Sequence, residues 1–126
     1  STLDRSSAAS DVYKRQGVHS AMLSDGKEIL YMREDVGRHN AMEKLLGAVL
    51  RNGVDTKEMI IVFSGRIAAE ILEKAAIIGA AMVIAVSAPT DAASKIAEHY
   101  GMTLIGFARG ESFNVYTNPQ RVVIKK

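Results

Sequence analysis

The sequence contains no cysteine, which removes disulfides, thiolate zinc sites and any cysteine nucleophile carried by the chain itself. No apolar run reaches the roughly eighteen residues that a membrane-spanning helix needs, and residues 1–16 lack the charged, apolar, small-residue order of a signal peptide. The expectation is a cytoplasmic protein with no membrane contact. An excess of one charge is also missing: sixteen Lys and Arg stand against fourteen Asp and Glu, a net charge of +2. The basic residues are scattered, so there is no stripe to neutralise a nucleic-acid backbone and no nucleic-acid partner is expected. Heptads and internal linkers are absent as well. What remains is a chain of 126 residues, enough for one domain that buries roughly two-thirds of its unfolded surface.

Residues 1–16 (STLDRSSAASDVYKRQ) follow neither a helical nor a strand period and read as a non-native tail, which places the domain at residues 17–126. From Val18 the pattern is regular. Val18–Leu23 and Glu28–Met32 flank Ser24-Asp25-Gly26-Lys27, where Asp-Gly supplies the positive φ angles of a tight hairpin. Met42, Leu45, Leu46, Val49 and Leu50 recur at helical spacing, and Asn52-Gly53 provides a left-handed stop. Met59–Phe63 and Met82–Val86 are continuous apolar runs, the mark of strands buried on both faces. After the first comes a helical face of Ile67, Ala68, Ile71, Leu72, Ala75 and Ile78. After the second comes one of Ala92, Ala93, Ile96, Ala97 and Tyr100, ending at Gly101. Thr103–Phe107 and Phe113–Thr117 are the last strands, before an Asn118-Pro119 stop. The order ββαβαβαββ implies an α/β protein: a three-layer α/β/α sandwich with a mixed central sheet and helices on both faces.

In such sheets ligands gather beyond the carboxyl ends of the strands, where loops meet helix N-termini. The polar oddities of this chain fall at those junctions. Glu34-Asp35-Val36-Gly37-Arg38-His39-Asn40-Ala41-Met42-Glu43-Lys44 is dense in acid, base, imidazole and glycine, and Asn40 and Glu43 have the spacing of a capping box at a helix start. Gly65-Arg66 opens the second helix, Ser87–Thr90 precedes the third, and Arg109-Gly110 follows an apolar strand. Arginine in a first helical turn sets a cation against the positive end of the helix dipole, at a cost of about 0.3–1 kcal/mol. A bound phosphate or diphosphate reverses the sign, with glycine admitting the backbone and arginine forking onto the oxygens. The plain alternative is that each arginine pairs with a carboxylate such as Glu34, Asp35 or Glu70. Taken jointly, the three junctions favour the anion site.

Other candidates have ordinary readings beside them. His39 with Glu34 and Asp35 is either a metal grouping or a hydrogen-bonded turn, and the turn is preferred, so no metal is expected. His99 shares a polar helix face with Lys95 and Glu98, while His19 is a core histidine or a site residue with equal ease. Ser64 and Ser87 each follow an apolar strand, yet Ser64-Gly65-Arg66 is not a G-x-S-x-G elbow, so ligand contact or helix capping is the better reading for both.

Together, Gly17-Val18-His19, the Glu34–Ala41 block, Ser64-Gly65-Arg66, Ser87-Ala88-Pro89-Thr90, Gly106-Phe107-Ala108-Arg109-Gly110 and Asn114-Val115-Tyr116-Thr117 resemble the formate dehydrogenase accessory sulfurtransferase family, FdhD. The resemblance runs from Gly17 to about Arg121, as the C-terminal portion of such a protein. It implies a cytidine-deaminase-like fold and a sulfur carrier. In that family, sulfur passes from a cysteine desulfurase to the molybdenum of a bis-molybdopterin guanine dinucleotide cofactor, before insertion into formate dehydrogenase. It further implies that Phe107, Ala108, Arg109, Gly110, Glu111 and Ser112 form the cofactor-binding segment, with Arg38, His39, Ser64, Arg66, Ser87 and Thr90 lining the same pocket. The family carries sulfur on a cysteine loop ahead of the Gly-Val-His motif, and this chain has none, so no catalytic residue is assigned.

Three functions compete at this point. One is a sulfur carrier represented by its cofactor-binding portion, with self-association through a partly apolar docking surface as a homodimer. Another is a binding module for a guanine nucleotide or molybdopterin dinucleotide, without chemistry of its own. The third, a zinc-dependent deaminase, needs a Cys-x-x-Cys pair and a glutamate that the sequence lacks where they are wanted, since Ser20-Ala21 follows His19.

Overall fold

A computed structural model describes residues 18–109 and 112–118. Within them six strands and three helices alternate: β1 (His19–Ser24), β2 (Ile29–Asp35), α1 (Arg38–Asn52), β3 (Ile60–Phe63), α2 (Ala69–Ile78), β4 (Met82–Ala85), α3 (Asp91–Tyr100), β5 (Thr103–Arg109) and β6 (Ser112–Thr117). The strands form one mixed sheet in the order β2-β1-β3-β4-β5-β6. β3, β4 and β5 are parallel, while β1 is antiparallel to both β2 and β3, and β6 is antiparallel to β5. The expected α/β class, mixed sheet and element order are all present.

The hairpin between β1 and β2 is wider than a two-residue turn. Asp25 Oδ1 accepts from the amides of Lys27 (2.8 Å) and Glu28 (2.9 Å), and Gly26 takes a φ of 95°. β3 and β4 are short and buried at every position, as their apolar runs require. Each helix ends on a left-handed glycine, Gly53, Gly79 or Gly101, whose amide returns to the last carbonyls.

The layering differs from a sandwich with helices on both faces. Leu45 and Val49 of α1, Ile71 and Ala75 of α2, and Ala93 and Ala97 of α3 all join one core with Leu23, Phe63, Ala85 and Leu104 of the sheet. The handedness of the connections explains this. β2 to β3, β3 to β4 and β4 to β5 are parallel crossovers that step in the same direction across the sheet. Right-handed crossovers stepping one way put every helix on the same side. The second face carries Met22, Ile60, Val62, Met82, Ile84 and Ile105, and among the described residues no helix lies over it.

Candidate functional site

Topology collects the polar junctions at one end of the sheet. β2 is parallel to β3, β4 and β5, because β1 between β2 and β3 runs antiparallel to both. The ends of β2 (Asp35), β3 (Phe63), β4 (Ala85) and β5 (Arg109) therefore share one edge with the starts of β1 (His19) and β6 (Ser112). His19 faces Asp35 across the first ladder. The residues following β3 and β4, Ser64-Gly65-Arg66 and Ser87-Ala88-Pro89-Thr90, continue from that same edge.

The β2–α1 junction is pinned by Asp35. One carboxylate oxygen accepts from the Gly37 amide at 2.9 Å, and the other meets Lys44 Nζ at 2.8 Å. Lys44 also donates to the Glu34 carbonyl at 3.0 Å. These contacts, the Gly37 amide first, then Lys44 and Asn40, lower the Asp35 pKa from 3.8 to about 2. Asn40 and Glu43 do not make the expected capping box. α1 begins three residues earlier than that box requires, at Arg38, with Gly37 as an N-cap that offers no side chain. Asn40 is thus already inside the first turn, and the acid that serves this helix start is Asp35 from the strand before it.

Arg38 does occupy a first turn that contains no acidic residue. Arg66 does not: α2 starts at Ala69, and Arg66 lies in the loop ahead of it. Both arginines are exposed, and among the described residues neither has an ion-pair partner. Of the carboxylates expected to hold them, Asp35 pairs with Lys44, and Glu70 lies beside His39 Nδ1 at 3.8 Å. Glu43 and Lys74 meet one turn further along, at 3.6 Å. α1 and α2 consequently run side by side in parallel, with both N-termini toward the same edge of the sheet, where their dipoles add for an anion.

The serines and threonine divide into scaffold and free groups. Ser64 is buried, its Oγ accepting from the Ser20 amide at 2.7 Å while its own amide donates to the Ser20 carbonyl at 3.0 Å. It extends the β1–β3 ladder by one clasp. Thr90 caps α3, accepting from the Ala93 amide at 3.2 Å. Among the described residues, by contrast, the buried Ser87 Oγ has no hydrogen-bond partner, and His39 Nδ1 has Glu70 Oε2 at 3.8 Å, an ion-pair separation too long for a hydrogen bond; both are polar atoms that a ligand can satisfy.

Two glycines are needed for close approach. A Cβ on Gly65 would lie 2.9 Å from both His19 Nδ1 and Phe63 Cε2, so the imidazole of His19 rests against this loop. A Cβ on Gly106 would meet Tyr116 Cε2 at 3.0 Å, Pro89 Cδ at 3.1 Å and the Ser87 carbonyl at 3.1 Å. The Ser87–Pro89 loop therefore lies directly on β5. Sequence reasoning named Asp35 only as a partner for arginine or metal, gave Lys44 and Tyr116 no role of their own, and left His19 open. The density of charge between Glu34 and Lys44 was the signal for the first two. Phe107, Ala108, Arg109 and Ser112 are described as backbone of β5 and β6, with Arg109 opposite Ser112. Gly110 and Glu111 lie outside the described residues, as do the side chains of this segment. Among the described residues no three His, Asp or Glu side chains group as a metal site.

A model of the FdhD/NarQ family matches residues 1–123. The chain belongs to that family. The sulfur carrier protein FdhD of Bacillus subtilis is 54% identical over 106 residues, covering 84% of this chain and 40% of that protein. Its counterpart in Shouchella clausii is 51% identical over 109 residues, covering 86% and 41%. A crystal structure from Desulfotalea psychrophila, assigned as a formate dehydrogenase accessory protein, superposes with a TM-score of 0.82 at 27% identity and covers 97% of this chain and 53% of that one. This FdhD/NarQ chain therefore spans about two-fifths of the length of the curated relatives it matches. No described helix is long and apolar enough to cross a membrane.

Proposed function

We propose that this chain is the ligand-holding portion of an FdhD-type sulfur carrier. Its sheet edge receives the diphosphate and guanine parts of a bis-molybdopterin guanine dinucleotide cofactor. The observation that carries the reading is the pair of exposed arginines, Arg38 and Arg66, which have no ion-pair partner among the described residues. They stand by the N-terminal ends of α1 and α2, on the edge that also carries Ser87 Oγ and His39 Nδ1, two buried atoms with no hydrogen-bond partner among the described residues. These groups fit a polyanion: guanidinium forks for phosphate oxygens, with a hydroxyl and an imidazole nitrogen for further acceptors and donors.

Ser64 and Thr90 act through the scaffold, since their hydroxyls already hold β1 to β3 and cap α3. On this reading Phe107, Ala108, Arg109 and Ser112, whose backbones lie in β5 and β6, belong to the cofactor-binding segment. When bound, the cofactor supplies the molybdenum that accepts sulfur. The chain's own residues bind and orient it. Without cysteine, this stretch has no thiolate to carry a persulfide, so it works as a binding module unless a sulfur-bearing segment is joined to it. β1 enters the sheet at the site edge, with His19 opposite Asp35. On this reading the partners of the whole protein are a cysteine desulfurase and formate dehydrogenase, in the cytoplasm.

Calorimetric titration with guanosine diphosphate tests the reading. Saturable binding is expected, and Arg38→Ala and Arg66→Ala should each weaken it by about 10- to 100-fold, the worth of a charged hydrogen bond. Lys95→Ala, on the exposed face of α3, should leave it unchanged. Equal losses from all three variants, or no saturable binding, would remove the site from this edge.

A further inference from the structure

Lys44 stands in the second turn of α1, and its side chain runs back toward the helix start, as helical side chains lean. Its ammonium meets Asp35 Oδ2 at 2.8 Å and the Glu34 carbonyl at 3.0 Å, so two of its three donors are used on β2. Asp35 lies over Gly37: Oδ1 accepts from the Gly37 amide at 2.9 Å and sits 3.7 Å from where a Gly37 Cβ would be. Arg38 is the next residue, exposed at the first position of α1. Asp35 keeps its charge at any pH well above about 2. A carboxylate this close to an exposed guanidinium ordinarily takes it as a partner, and a guanidinium so paired offers less to a phosphate. Yet Arg38 has no ion-pair partner among the described residues, because Asp35 is held by Lys44.

We infer that, with the ligand held by Arg38 as proposed, Lys44 is a positioning residue of the site: by occupying Asp35 it keeps that carboxylate off Arg38 and leaves the guanidinium open to an anion. The two oxygens of Asp35 divide the work. Oδ1 serves the start of α1, where Gly37 has no side chain to cap with and the first turn has no acid. Oδ2 is the oxygen left over, and it faces Lys44. Arg33, two residues back on β2, is engaged elsewhere, donating to the Met32 carbonyl at 2.9 Å with its guanidinium 5.7 Å from the Tyr31 ring centroid. A neutral side chain at position 44 therefore turns Oδ2 toward Arg38, and the carboxylate and guanidinium cancel at the point where the phosphate is to sit.

Carboxyl NMR of Asp35 in the ligand-free chain reads its partner directly. With Lys44 present, Arg38→Ala should leave the Asp35 titration nearly in place. In a Lys44→Met background the same change should move it clearly upward, because the arginine has become the partner. Calorimetry with guanosine diphosphate in about 0.15 M salt, which screens charges beyond about 8 Å, reads the consequence. Lys44→Met should weaken binding about tenfold and Lys44→Arg should retain it. Lys44→Met combined with Asp35→Asn should recover it, since the neutral amide oxygen still accepts from Gly37. In an Arg38→Ala background Lys44→Met should weaken binding several-fold less than it does alone. An Asp35 titration that ignores Arg38 in the Lys44→Met chain would overturn the role of Lys44, as would equal losses from Lys44→Met with and without Arg38. No saturable binding by the unaltered chain, with the NMR shifts as expected, would instead remove guanosine diphosphate from the edge, a failure of the binding reading and not of the clasp.

Discussion

Gly65 shows how one absent methyl shapes the site. Its Cα sits where a Cβ would strike both the His19 imidazole and the Phe63 ring at 2.9 Å, so Gly65→Ala should cost about 1–3 kcal/mol, the usual penalty of overpacking. Thermal unfolding of the variant measures this. Pairing it with His19→Ala should recover only part of the loss, because the buried Phe63 ring cannot retreat. Asp35 makes a prediction in pH. Its carboxylate has a folded pKa of about 2 against 3.8 unperturbed, so its contribution to stability is fully present above about pH 4 and fades as pH falls toward 2. Asp35→Asn should therefore flatten the stability profile in that window and leave the slope near neutrality unchanged, as followed by denaturant midpoints at each pH.

The elements differ in how well the sequence announced them. β3 and β4 were legible because continuous apolar runs have one common meaning when flanked by turn residues. The helix ends were legible too, through Gly53 and Gly101. Two of the three described helix starts were not, while that of α3 fell right after the expected Ser87–Thr90 turn. Asn40 and Glu43 had the right spacing for a cap, yet the structure begins α1 at Arg38, because Asp35 reaches forward from β2 to the Gly37 amide. Arg66 stands outside α2 because Ile67 is spent in the core before the helix turns at Ala69. Among the described helices only α3 is capped by a side chain, that of Thr90, and Thr90→Ala should cost about 1 kcal/mol while leaving α1 and α2 unaffected in hydrogen exchange. Leu50 marks the limit of periodicity, since it lies in the expected apolar face but is 65% exposed at the end of α1. Leu50→Lys should change stability by less than about 0.5 kcal/mol, whereas Leu45→Ala should cost about 2–5 kcal/mol.

For the whole molecule, the class and the order of elements along the chain followed from the pattern, but the order of strands in the sheet and the side on which the helices lie did not. Burial says that Ile71 or Ala93 faces a sheet and is silent on which face; handedness and strand order decide it together. The same sheet edge then gathers every junction that the sequence had marked as polar, so the site was legible as a set of loops before its pairings were. Incubation of this chain with a cysteine desulfurase and cysteine is expected to leave no persulfide on it, as mass spectrometry of the intact chain would report. Finally, the position of β1 between β2 and β3 has a kinetic consequence. Its first partner follows after a short loop and can pair within about 1–10 μs. Its second stands about forty residues later, with Ser20 and Ser64 separated by 44 positions, and must wait for α1 and a long loop closure. The clasp between those serines therefore belongs to the late part of folding. Ser64→Ala should speed unfolding while leaving the refolding arm of the chevron nearly in place.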